Sequence, residues 1–87
     1  MKSTEAPTTT TADFLAMVRR MIRAAGRRVG SADPEDLTEL VALRHELDTA
    51  IERAVLDQRA SGITWQSIGD ATGTTRQAAI MKWRKPA

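Results

Sequence analysis

The sequence predicts an all-α protein of four helices: a long N-terminal helical hairpin followed by a C-terminal helix-turn-helix. Three observations lead there. Apolar residues recur every three or four positions along two long stretches, the period of a helix with one buried face. No stretch alternates by twos as a half-buried strand does. Glycine and proline fall where helices would stop or start, at Gly30, Pro34, Gly62 and Gly73. With 87 residues, one domain is expected. It divides into a disordered tail over 1–11, rich in Thr, Ser, Ala and Pro, and a helical domain over 12–87. The hairpin takes 12–61 and the helix-turn-helix 62–85.

The first helix has Thr11 as its expected N-cap and Asp13 in its first turn, where a carboxylate favours the positive end of the dipole. Phe14, Val18, Met21, Ile22, Ala25 and Val29 form its apolar stripe. Arg19, Arg20, Arg23, Arg27 and Arg28 occupy other faces, and Gly30 is placed to end it. Ser31-Ala32 is a short connector. Asp33-Pro34-Glu35-Asp36 starts the second helix, with Asp33 as cap, Pro34 at the first helical position and acids in the first turn. Its stripe is Leu37, Leu40, Val41, Leu47, Ile51, Ala54 and Val55, interrupted by Arg44, and Ser61-Gly62 stops it. About 27 residues at 1.5 Å each make a helix of roughly 40 Å. A short connector between two long helices makes them antiparallel neighbours. Leu43 and Leu56 lie off the stripe and are left over for a second chain.

The third helix begins after Thr64, with Trp65, Ile68 and Ala71 directed inward. Thr72-Gly73-Thr74 breaks it. Thr75 caps the fourth helix, which runs to about Arg84. Two short helices joined by a glycine-containing turn have the proportions of a helix-turn-helix. Glycine supplies a backbone angle other residues resist, and Gly69 is small where the two helices would cross. Arg76 and Gln77 at the start of the last helix are the side chains that grip guanine O6/N7 and adenine N6/N7 in a major groove.

The stretch from Gly62 to Ala79, followed by Trp83, resembles a helix-turn-helix pattern of small actinobacterial and phage DNA-binding proteins. That pattern is roughly G-x-S/T-W-x-x-I-G-x-A-L-G-V-S-R-Q-A-A with an aromatic residue four positions later. The shared features are Trp65, Ile68, Gly69, Gly73 and the run Arg76-Gln77-Ala78-Ala79. Thr72 and Thr74 stand where the pattern prefers Leu and Val, which would loosen the turn. The resemblance covers residues 60–84, under a third of the chain. It implies sequence-specific binding of double-stranded DNA by a small transcriptional regulator. It places Thr75, Arg76, Gln77, Ile80, Met81 and Arg84 against DNA, Lys82 and Lys85 against phosphate, and Ala78, Ala79 and Trp83 in the core. Thr64 and Gln66 could present a hydroxyl, an amide or a backbone N–H to the DNA backbone.

Composition narrows the remaining classes. Cysteine is absent, which excludes a disulfide scaffold and thiolate zinc sites and fits a reducing interior. No apolar run approaches the ~20 residues that cross a bilayer, and the N-terminus lacks the apolar core of a secretory signal. A cytoplasmic, nucleoid-associated protein is expected. Net charge is +2, but it is unevenly laid out. Residues 12–30 carry +4, residues 31–60 carry −5 and residues 61–87 carry +3. The basic flanks suit a polyanion. The arginines of the first helix can grip phosphate or pair with acids of the second, such as Glu39, Glu46, Glu52 and Asp57. Trp65 and Trp83 are expected as core anchors rather than base-stacking platforms.

His45 has no ligand or catalytic neighbours in the pattern, and no phosphate loop or nucleophile elbow is present. No enzymatic activity, metal or cofactor is expected. The expected partners are DNA and a second copy joined through the hairpin, since paired reading helices reach successive grooves about 34 Å apart. The alternative is a protein-interaction module, docking a polymerase subunit or another protein, with the helix-turn-helix purely structural.

Overall fold

The computed structural model describes residues 9–84, and these hold four α-helices: α1 (Thr11–Gly30), α2 (Pro34–Ala60), α3 (Trp65–Thr72) and α4 (Arg76–Trp83). Among the described residues there is no strand. The fold is all-α. The chain resolves into two compact units, one up to Ala42 and one from Leu43, with α2 running through the boundary as one helix.

Capping sets the helix starts. Thr10, not Thr11, caps α1: its Oγ1 accepts the backbone N–H of Asp13 at 3.0 Å, and Thr11 is the first helical residue. In a run of threonines any hydroxyl can serve, and the one three residues before Asp13 does. Of the segment expected as a tail over 1–11, Thr10 and Thr11 belong to the helix start, and residues 1–8 lie outside the described residues. Pro34 opens α2, with Asp33 just before it accepting the Asp36 N–H on its carbonyl at 2.9 Å. That helix has 27 residues and ends before Ser61-Gly62, where Gly62 takes a φ of +100°.

The first unit differs from the hairpin expectation. No residue of α1 is buried. Of its stripe, Val18, Ala25 and Val29 are half-buried, whereas Phe14, Met21 and Ile22 are 53%, 64% and 50% exposed. Leu37 and Val41 at the start of α2 are also exposed. Where α1 meets α2, Val29, Pro34, Leu37 and Leu40 line a shallow cleft of about 360 Å³. Periodicity marks which face is apolar. It does not say that the face is covered.

The buried core lies in the second unit and consists of Val55, Ile68, Ala79 and Trp83, with Trp65 packed against it. Val55 comes from α2, Ile68 from α3, and Ala79 and Trp83 from α4. The two tryptophans are core anchors as expected, Trp83 buried and Trp65 half-buried. Ala71, expected inward, is exposed. Trp65, Ile68 and Gly69 fill the inward face of α3, and an eight-residue helix has no second inward row. Leu43 is exposed, while Leu56, expected for a second chain, is half-buried.

So small a core makes each member costly to trim. Ile68→Ala should destabilise the second unit by about 2–5 kcal/mol, the usual loss for a buried aliphatic. Urea unfolding followed by tryptophan fluorescence measures it, because Trp65 and Trp83 both belong to that unit.

Candidate nucleic-acid interface on the last helix

The site is assembled around one close approach. A Cβ on Gly69 would lie 2.9 Å from both the carbonyl carbon and oxygen of Thr75 and 3.1 Å from the Arg76 nitrogen. The middle of α3 therefore meets the first residues of α4 backbone to backbone. Gly73 makes the reversal possible with φ +74° and ψ +27°, the left-handed conformation that glycine adopts without a steric penalty. The Thr74 N–H donates to the Gly69 carbonyl at 2.8 Å.

The two threonines of the turn behave differently from apolar residues. The Thr72 hydroxyl donates to the Ile68 carbonyl at 2.8 Å, tying the end of α3 to its own backbone. Thr74 is half-buried. Thr75 then caps α4, its Oγ1 accepting the Ala78 N–H at 3.0 Å.

Ala79, with no exposed surface, and Trp83 hold α4 against the core. One turn apart on the other side stand Gln77 and Met81, with Ala78 beside them, all exposed. Met81 is 77% exposed, which would be wasteful for a side chain meant for packing. Arg76 is exposed at the N-terminal end and Arg84, exposed, closes the helix at its C-cap. From Ala71 to Ala87 the sequence has Arg76, Lys82, Arg84 and Lys85 and no acid. The outward face thus combines an amide, a methyl, a thioether and flanking guanidinium groups.

Several expected positions are placed otherwise. Ala78 was expected in the core and is exposed, between Gln77 and Met81. Alanine carries too little surface for periodicity to assign it a side. It is the outward-face residue that pattern reading missed. Ile80 was expected against DNA and is half-buried, because it neighbours Ala79 and sits one turn before Trp83 on the edge of the inward face.

Lys82 lies over the Trp83 ring at 5.1 Å from its centroid. It lines a cleft of about 320 Å³ with His45, Asp48 and Glu52 of α2. Its surroundings are therefore partly acidic. Lys85 lies outside the described residues.

Thr64 and Gln66 are exposed at the start of α3. Thr64 is the N-cap, its Oγ1 accepting the Ser67 N–H at 3.0 Å and donating to Ser67 Oγ at 3.1 Å. The Gln66 amide donates to Asp70 at 3.0 Å. Trp65 is braced from outside by Arg59, whose guanidinium lies 5.0 Å from the ring centroid and donates to the Ile63 carbonyl at 2.9 Å.

No family model matches the chain, and no curated protein or solved structure matches it either. The likeness to the helix-turn-helix pattern rests on the chain's own residues.

Among the described residues, no helix is long and apolar enough to cross a membrane. Arg53 and Asp57, one turn apart on α2 and exposed, form an ion pair at 3.1 Å. A pair of this kind is worth about 0–1 kcal/mol. None of the α1 arginines forms an ion pair with Asp33, Glu35, Asp36 or Glu39.

Two substitutions test the crossing. Gly69→Ala forces backbone apart rather than a flexible side-chain tip, so it should cost about 1–3 kcal/mol despite alanine's better helix propensity. Thr75→Ala removes only the cap and should cost about 1 kcal/mol. Chemical denaturation of the three proteins side by side gives both values. A neutral Gly69→Ala would mean that the helices do not approach this closely in solution.

Proposed function

We propose that α3, the Gly73 turn and α4 form a helix-turn-helix that reads double-stranded DNA, and that the protein is a small transcriptional regulator acting as a pair of copies. The observation that carries this reading is the division of α4 into two sides. Ala79 and Trp83 anchor it inward, while Gln77, Ala78 and Met81 face solvent with Arg76 and Arg84 at the ends. An α-helix fits the major groove. There Gln77 can pair with adenine N6 and N7, and Arg76 with guanine O6 and N7. The Ala78 methyl and Met81 give apolar contact to thymine methyls, a role Ala78 gains by facing outward.

Arg84, with Lys85 beyond it in sequence, supplies phosphate contacts that position the helix without reading sequence. Lys82, beside the acids of α2, contributes less. Thr64 at the start of α3 is engaged as a cap, so the backbone N–H groups of that helix start are better placed than its hydroxyl to meet a phosphate. Pairing two copies would bring two reading helices to grooves about 34 Å apart.

Selection of bound duplexes from a random pool, at two salt concentrations, tests the reading. A motif should be enriched. Arg76→Ala with Gln77→Ala should abolish the preference, each good bidentate contact being worth about 1–3 kcal/mol, with little change in tryptophan fluorescence. Arg84→Ala should weaken all sequences alike and flatten log affinity against log salt by about 0.9. A pool that enriches no motif for the unmodified protein would leave the protein-interaction reading in its place.

A further inference from the structure

The arginines of α1 have no part in the proposed reading of bases by α4. With about 3.6 residues per turn, Arg19, Arg20, Arg23 and Arg27 fall within roughly 100° of the helix circumference. That arc lies opposite Phe14, Val18, Met21, Ala25 and Val29. All four arginines are exposed. Where α1 meets α2 it does so from the apolar side, through Val29. The other residues of the arc are Ala12 and Ala16, and the single acid of α1, Asp13, sits in the first turn. Among the described residues, none of the four arginines forms an ion pair.

Such a face is unfavourable in the free protein. Arg19 and Arg23 are four residues apart, as are Arg23 and Arg27, while Arg20 and Arg23 are three apart. Like charges at these spacings destabilise a helix about as much as opposite charges stabilise it. Arg27 lies in the last turn, where the helix dipole favours a cation. Arg19, Arg20 and Arg23 stand too far from that end to benefit. An external anion relieves their repulsion.

We infer that this arc is a second DNA-contact surface, lying along the phosphate backbone of a duplex and adding affinity without reading sequence. Charge complementarity selects the partner. A duplex carries about one negative charge per 1.7 Å of axis. Cations about 6 Å apart along a helix therefore each meet a phosphate. The arc offers no amide, hydroxyl or aromatic group, so it has nothing with which to read base edges or to stack the bases of a single strand. Phosphate contacts of this kind position a protein without specifying its site. A cationic amphipathic helix also suits an anionic bilayer. In α1, however, an apolar face sunk in lipid would hold these arginines farthest from the headgroups. The inference extends the DNA reading to a surface outside the helix-turn-helix, and it does not require that α4 read bases.

Fluorescence anisotropy of the full chain with a labelled duplex of mixed sequence, between about 50 and 200 mM salt, tests it. Changing Arg19→Gln, Arg20→Gln and Arg23→Gln together should flatten log affinity against log salt by about 2.7, each phosphate contact contributing about 0.9. The affinity lost across that range of salt should shrink about 40-fold. Gln forms helix about as well as Arg, and the three positions are exposed, so far-UV circular dichroism should not change. Lysine at the same three positions should keep the slope, because a phosphate contact needs only the charge.

An unchanged slope in the Gln variant would overturn the inference, and an enriched motif in the random pool would then leave the reading by α4 standing. A flattened slope with no enriched motif would uphold the α1 surface and remove the α4 reading. A Lys variant as flat as the Gln variant would overturn the charge contact. So would an unmodified protein that sediments with phosphatidylserine vesicles and binds no duplex.

Discussion

The second unit depends on one constraint, the backbone-to-backbone contact between Gly69 and Thr75–Arg76. Two helices of eight residues each cannot hold an orientation by buried area alone. Close approach replaces bulk: once the chains touch at Gly69, Ile68 and Trp65 on α3 and Ala79 and Trp83 on α4 fall into a single cluster with Val55. Gly73 then only has to reverse the chain over three residues, which its left-handed backbone does.

Local hydrogen bonding supplies what the small core cannot. Thr10, Thr64 and Thr75 each place a hydroxyl under the first turn of their helix and accept an N–H three residues on. Each such cap is worth about 1 kcal/mol and needs no burial. For helices of two turns, that is a large share of what keeps them formed. Thr72 does the same work at the far end of α3 by bonding back to Ile68. Thr72 thus satisfies a backbone carbonyl where an apolar side chain would only pack, while Thr74 is half-buried.

The number of helices and most of their ends were legible because punctuation in a chain is chemical. Pro34 can only begin a helix, Gly73 takes an angle few residues tolerate, and Thr64 and Thr75 carry the hydroxyl a helix start needs. Tryptophan was legible too, since so much apolar surface has few places to go in a chain with so little of it. Alanine was not. Ala71, read as inward from its own helix, and Ala78, placed in the core by the resemblance, both stand in solvent, because one methyl group gains too little from either side to decide. Nor could four adjacent threonines reveal which of them caps α1. The covering of α1 was least legible of all: a stripe records that a face avoids water, while the identity of its neighbour is written elsewhere or in another molecule.

The residues that hold α4 in place and those that line its outward face share no member. Ala79, Trp83, Thr75 and the glycine opposite serve the scaffold, and Gln77, Ala78 and Met81 are exposed and outside the buried cluster. Substitutions on the outward face can accumulate without eroding the fold that presents it. A lineage could change its target while keeping the same frame, and a designer could randomise three codons with little fear of unfolding the head.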